Sequence, residues 1–280
     1  MPFLIDTHAH VDADIYRNDL DAIIRRALDE NIWIVAVGND LASSMHAIEI
    51  AEQYQTGVFA AIGMHPKYIS DHETTVEKLL DLNAFRKLAQ HPKVVALGEC
   101  GLDYHGLPDA RFTHDPDFYK ADLIRRNQHT VMRAFLLLAR EFRLPLLLHC
   151  RDAHDDLLQL LTEWDHFNPG YTSRGIVHAY NGTWAQAKKY FALDFLLSLT
   201  GILTNGAYQT NIIHKAPLTR LVVESDCPHL TPDAWSMRRN EPAYLEQTVT
   251  ALAGLRHLPT SSFATQITEN TLKMLKKIPS

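Results

Sequence analysis

Eight short apolar runs recur along the chain, each separated from the next by a longer amphipathic stretch. They fall at 3–6 (FLID), 33–37 (WIVAV), 57–62 (GVFAAI), 94–98 (VVALG), 144–149 (LPLLLH), 175–178 (GIVH), 194–199 (DFLLSL) and 220–224 (RLVVE). Most are apolar without alternation, and each meets Gly, Pro, His or another polar residue within a few positions. That is the pattern of strands covered on both faces, as in parallel sheets. Helical spacing lies between and after them, at 17–30, 41–54, 73–90, 118–142, 153–164, 183–191, 207–216, 241–256 and 260–277. Eight strands alternating with helices over 280 residues predict one α/β domain, residues 1–280, folded as a (β/α)8 TIM barrel. A doubly wound open sheet shares this pattern, and periodicity alone does not separate the two.

The ends of these runs carry the chemistry. His8 and His10 follow the first, close to Asp6, and residues two apart in an extended segment point to one side. His65 follows the third run in GMHP, and Glu99 ends the fourth in GECG. His149 ends the fifth and His178 the sixth, while Asp226 follows the eighth in Glu224-Ser225-Asp226. In a parallel barrel every strand's C-terminal end opens on the same face, so all these groups would ring one mouth. Taken alone, each has an ordinary alternative: a hydrogen-bonded loop histidine, a satisfied buried carboxylate, a turn aspartate. Their convergence is what points to a site.

Imidazoles suit zinc, manganese or iron, and carboxylates also accept magnesium. The expected arrangement is two divalent ions bridged by Glu99, with His8 and His10 on one and His149 and His178 on the other. Asp226 would ligate an ion, orient the attacking water and take its proton. His65 would either bind an ion or donate a hydrogen bond to a substrate oxygen. Cys100, Cys150 and Cys227 each directly follow a site residue. Because strand neighbours point to opposite faces, Cys100 and Cys150 are expected to pack in the core rather than ligate.

In order and spacing, DTHAH, GMHP, GECGLDY, LPLLLHCRDAH, GIVHAYNG, VVESDCPHLTP and RRNEPAYL resemble the TatD-type metal-dependent deoxyribonucleases of the amidohydrolase superfamily, from about residue 4 to residue 273. The resemblance implies a TIM barrel, a two-metal site and phosphodiester hydrolysis, typically 3′→5′ exonucleolytic on DNA with magnesium, manganese or zinc. It places His8, His10, Glu99 and Asp226 on one ion and Glu99, His149 and His178 on the other. His65 matches a histidine near the substrate phosphate. Arg151 and Asp152, and Arg239, Asn240 and Glu241, fall in family motifs near the mouth, with Arg151 and Asn240 as substrate contacts. Where the family usually reads His-Cys-Phe-Ser-Gly, this chain has His178-Ala179-Tyr180-Asn181-Gly182, so the wall beside an intact ligand changes. Tyr104, His105, Arg111, Phe112 and His114 in the stretch 101–117 are either a base-stacking, phosphate-contacting lip or a solvated loop.

A net charge of −6 lacks the basic footprint of a nucleic-acid coat protein. Two divalent ions would still attract phosphate locally. Arg151, Arg238 and Arg239 would extend that patch, whereas Arg125, Arg126, Arg133, Arg140 and Arg143 read as a solvated helix face. Three cysteines and the absence of a secretory leader or an 18-residue apolar run point to a cytoplasmic protein without a membrane span. The expected partner is DNA, as a single strand or a 3′ end, with no obligate protein partner. The competing reading is a small-molecule amidohydrolase such as a lactonase, amidase or phosphotriesterase. Many of those bridge their metals with a lysine after strand four, where this chain has Glu99. A binding module on a degenerate barrel is the third reading, and retention of every proposed ligand speaks against it.

Overall fold

The computed structural model describes residues 2–71, 75, 79–108, 117–170, 174–202, 211–231 and 239–279. Its strands are β1 (Leu4–Ala9), β2 (Ile32–Val37), β3 (Val58–Ile62), β4 (Val94–Asp103), β5 (Leu146–Arg151), β6 (Gly175–Val177), β7 (Phe195–Leu199) and β8 (Leu221–Val223). They lie in sequence order, each parallel to the next. The ring closes where the end of β8 meets β1, through Asp226 N–H to His8 O at 3.0 Å and His10 N–H to Cys227 O at 2.9 Å. A doubly wound sheet needs a reversal of strand order, so the barrel is the fold.

The helices around it are α1 (Leu20–Asp29), α2 (Leu41–Glu52), α3 (Leu82–Leu88), α4 (Phe118–Phe142), α5 (His154–Phe167), α6 (Trp184–Ala192), α7 (Asn211–Lys215), α8 (Leu245–Leu255) and α9 (Thr260–Met274). Their starts follow local chemistry. Asp40 caps α2 by accepting from Ser43 N–H at 2.7 Å, and Thr183 caps α6 by accepting from Gln186 N–H at 3.2 Å. The early part of the helix expected at 73–90 and of that at 207–216 lies outside the described residues, as do Arg111, Phe112, His114 and Arg238.

Buried side chains form two layers. Outward residues such as Leu4, Ile34, Val58 and Leu148 pack under the helices. Inward residues such as Ile5, Val35, Ala61, Leu147, Ile176, Leu196 and Val222 fill the barrel, and Met274 at the end of α9 with Leu275 and Ile278 beyond it join them. Burying each such side chain fully stabilises by roughly 1.5–3 kcal/mol.

Three strands run further than the apolar pattern indicates. β1 continues through His8 to Ala9, β4 through Glu99 to Asp103, and β5 through His149 to Arg151. The pairing slips within both histidine- and glutamate-bearing stretches, between Asp6 and Ala9 on β1 and between Leu97 and Cys100 on β4. Such irregularities re-aim side chains at the rim of a barrel.

Candidate metal centre

Six of the expected groups surround one point, and Glu99 lies at its middle. Its Oε2 is 3.4 Å from His8 Nε2 and 3.6 Å from His10 Nε2. Its Oε1 is 2.6 Å from His149 Nδ1, 3.4 Å from His65 Nε2 and 3.8 Å from His178 Nε2. Asp226 Oδ1 stands 3.7 Å from His10 Nε2, 3.8 Å from His178 Nε2 and 4.0 Å from His8 Nε2. All but His149 are buried. Two glycines let the backbones come this close. A Cβ on Gly63 would lie 2.4 Å from Glu99 O, and one on Gly101, at φ +145°, would lie 2.0 Å from His149 O. Asp226 itself holds a left-handed φ of 52°, a backbone strain of about 1–3 kcal/mol that its neighbours must hold in place.

The far sides of the rings decide what their near sides offer. His10 Nδ1 lies 3.3 Å from Val37 O, and His178 Nδ1 lies 2.8 Å from Glu224 Oε1. The His10 contact favours a proton on Nδ1, which leaves its Nε2 lone pair pointing into the cluster, and Glu224 sets the orientation of the His178 ring. His65 is opposite. Its Nδ1 accepts from Lys67 N–H at 3.0 Å, so its neutral ring carries its proton on Nε2. Burial pushes His65 down to about 3, which keeps it neutral. Of the two sequence alternatives for His65, this tautomer suits a hydrogen-bond donor better than a ligand.

The electrostatics fit a cation. His8 and His10 bring their Nε2 atoms within 3.2 Å of each other, and Glu99 Oε2 is buried with no hydrogen-bond partner. Burial lowers the affinity of His8 and His10 for protons, leaving them as neutral donors of electron pairs. Burial opposes the charge on Glu99, yet His8, His65 and His149 hold it well below the ordinary carboxylate range. Burial also pushes Asp226 up to about 8 despite His178 beside it. His178 rises to about 10 because Glu224 and Asp226 outweigh its own burial. A buried knot of imidazoles and carboxylates with an orphaned oxygen is able to hold divalent metal. The triads that converge are His8–His10–Glu99, His8–His178–Asp226 and His65–Glu99–His149.

The surrounding residues correct several expectations. Asn240 turns its side-chain amide to neighbouring backbone. It is buried, its Nδ2 donates to Ser225 O at 2.8 Å and His229 O at 2.5 Å, and its Oδ1 accepts from Glu241 N–H at 3.0 Å. It therefore clamps the loop that carries Asp226. Arg239 pairs with Asp19 at 2.9 and 2.5 Å, and Glu241 pairs with Arg26 at 3.0 and 2.6 Å. Arg239, Asn240 and Glu241 thus brace that loop against α1. Arg125 leaves the solvated face assigned to it: its guanidinium lies 5.3 Å from the Tyr104 ring centroid and donates to Pro108 O. Arg126 and Arg133 keep that assignment, pairing with Asp122 and Glu163. Arg151 is exposed at the mouth with no ion pair among the described residues. The three cysteines are free and buried, and burial pushes the Cys150 thiol up to about 12, so they pack rather than ligate.

Three contributors carry no role in the sequence reading. Glu224 orients His178, Asp103 Oδ2 holds His149 Nε2 at 3.1 Å, and Asn39 Nδ2 sits 3.3 Å from His10 Nδ1. The signal for the first two is spacing: Glu224 and Asp226 are two apart, and Glu99, Gly101 and Asp103 share a period of two along a strand.

Known proteins carry the same pattern. Residues 5–276 match the family described as TatD related DNase. The uncharacterized metal-dependent hydrolase YabD of Bacillus subtilis is 35% identical over 276 residues, covering 98% of this chain and 99% of that protein. The 3′-5′ ssDNA/RNA exonuclease TatD of Erwinia billingiae is 29% identical over 281 residues, covering 98% and 99%. The crystal structure of the TatD homologue YjjV from Escherichia coli superposes with a TM-score of 0.82 at 26% identity, covering 98% of each chain. Among the described residues no helix is long and apolar enough to cross a membrane. With the barrel, the imidazole–carboxylate cluster and a match over nearly its whole length, the chain belongs to the TatD-related DNase family and is a metal-dependent hydrolase.

Proposed function

We propose that this hydrolase removes nucleotides from the 3′ ends of single-stranded DNA, using two divalent ions bridged by Glu99. The observation that carries this reading is the division of Glu99. One oxygen faces His8 and His10, and the other faces His149 and His178. Magnesium, manganese or zinc held there would supply hydroxide at neutral pH and neutralise charge developing on phosphorus-bound oxygens.

The chain's own groups have distinct tasks. Asp226 Oδ1, 3.7 Å from His10 Nε2 and 3.8 Å from His178 Nε2, is placed to orient the attacking water and accept its proton. His65 Nε2–H donates to a non-bridging phosphate oxygen in the transition state. Glu224 and Asp103 hold His178 and His149 in their orientations. Arg151 meets the strand's phosphates beyond the reacting one. The name of the Erwinia billingiae relative supports single-stranded substrate and 3′→5′ direction. Selection of DNA and two ions are this proposal's own refinements. Glu99 in place of a bridging lysine weighs against the lactonase, amidase or phosphotriesterase reading.

The test is a 5′-labelled single-stranded oligonucleotide with manganese or magnesium, beside Glu99→Ala. A ladder that shortens from the 3′ end, absent in the variant, is the expected result. No shortening by folded, metal-loaded protein would overturn the nuclease reading.

A further inference from the structure

Two hollows of different size open at the mouth; the smaller is lined by the cluster, and the larger shares Arg151 and Asn181 with a further hollow lined by His149, His178 and Asp226. On the β4–β6 side an open groove of about 1170 Å³ runs between Tyr104–Leu107 and Asn181–Thr183. On the β1–β3 side a cleft of about 390 Å³ reaches from His10, His65 and Glu99 to Asp12, Asn39, Asp40, Lys67 and Tyr68. The smaller volume lies at the low end of the roughly 300–1,000 Å³ seen for ligand pockets, which suits one nucleotide rather than a strand.

The polar groups of the cleft differ in how far they are already engaged. Asp40 is committed to its helix, accepting from Ser43 N–H at 2.7 Å and Ser43 Oγ–H at 2.6 Å. Asn39 sets its side-chain amide 3.3 Å from His10 Nδ1, and its Oδ1 is buried. The Asp12 carboxylate makes no hydrogen bond or ion pair with another side chain among the described residues. At the rim the Tyr68 ring is 53% exposed, with the Lys67 ammonium 4.9 Å from its centroid. The cleft therefore offers one open carboxylate, one cation and an exposed aromatic ring.

A nucleotide with a free sugar hydroxyl matches that set. Its ring system stacks on tyrosine, its hydroxyl donates to a carboxylate oxygen, and its one bridging phosphate reaches the cluster. A second phosphate on the sugar would instead face the Asp12 carboxylate, and like charges at short range repel.

Resting on the nuclease reading above, we infer that this cleft receives the 3′-terminal nucleotide. The base lies on Tyr68 and the free 3′-hydroxyl donates to Asp12, so a 3′-phosphate is rejected. The rest of the strand leaves through the open groove past Arg151. Tyr68 and Asp12 are thus the residues that select a terminus.

The test compares release of the first nucleotide from 5′-labelled single-stranded DNA ending in 3′-hydroxyl or 3′-phosphate, with manganese. The wild-type protein is expected to act on the 3′-hydroxyl end at least about tenfold faster. Asp12→Asn, which keeps shape and removes charge, is expected to shrink that ratio to within about threefold by speeding the 3′-phosphate reaction. Tyr68→Ala is expected to raise KM about fivefold to a hundredfold, the span that base–aromatic stacking carries, and Tyr68→Phe to restore it. Equal rates on both ends in the wild-type protein would leave the nuclease reading standing and overturn this assignment. So would an unchanged ratio in Asp12→Asn together with unchanged KM in Tyr68→Ala. No cleavage of either end would overturn both.

Discussion

The floor and the mouth of the barrel are made by the same eight strands and obey opposite rules. At the floor Ile5, Val35, Leu196 and Val222 meet Leu275 and Ile278 in an apolar layer with no charge to satisfy. At the mouth six titratable groups crowd around Glu99, and the backbone at Asp226 is strained to place one of them. The floor gains from every contact it makes. The mouth accepts repulsion between neighbouring imidazoles and an orphaned oxygen, which only a cation relieves. Stability and chemistry are therefore segregated along the barrel axis, and perturbations at the two ends should separate cleanly.

The sharpest contrast comes from Glu99→Gln. Activity with metal is expected to fall at least about a thousandfold, beyond the roughly 10²–10³ lost with one oxyanion donor. The metal-free variant is expected to melt no higher than the wild-type protein, since the fold favours Glu99 as a carboxylate and His149 loses that partner at 2.6 Å. A melting temperature above wild type would show that the charge at Glu99 opposes the fold. Leu275→Ala makes the opposite change: roughly 2–5 kcal/mol lost in denaturant titration, with turnover per folded molecule within about twofold of wild type.

Metal addition tests the repulsion itself. At a free concentration one hundred times Kd, manganese or zinc is expected to stabilise the protein by about 2.7 kcal/mol, and chelation to reverse it. Glu224→Gln should cut metal affinity about 10–100-fold through a loosened His178, read by titration calorimetry. The smallest expected effect is a pH dependence at His154. Burial lowers its proton affinity in the folded state, where Nε2 faces Asn181 Oδ1 at 2.8 Å. Its stabilising contribution is fully present above the unfolded value near 6.5 and declines as pH falls below it, because the unfolded chain takes up the proton first. His154→Gln should flatten the fall in urea midpoint between pH 7 and pH 5.

How much of this was legible in the sequence depended on the kind of interaction. The strands were legible because a strand covered on both faces has no solvent side and leaves an unbroken apolar signature. His8, His10, Glu99, His149, His178 and Asp226 were legible because a barrel collects strand ends on one face. Register was not. Apolar period says nothing about which residue of a neighbour a strand residue meets, so the slips at Asp6–Ala9 and Leu97–Cys100 were invisible. Side-chain direction outside strands was equally hidden. Asn240 belonged to a motif near the mouth, yet its amide turns inward to Ser225 and His229. Arg125 lay on a helix read as solvated, and only the fold brings Tyr104 beneath it. Glu224 and Asp103 act on partners 46 residues away (|224−178| and |149−103|), so spacing set them beside Asp226 and Glu99 without naming the histidine each holds.

The seam between the last strand and the first has a consequence for biosynthesis. His10 bonds to Cys227 O and Asp226 bonds to His8 O, so the residues that shut the barrel are those of the cluster. A ribosome makes Asp226 about 220 residues after His8 and His10, at about 5–20 residues per second. For that interval the nascent chain owns part of a clamp and no enclosed centre. Hydrolytic capacity thus waits for β8 and its loop, and a truncated product that lacks them is born without it.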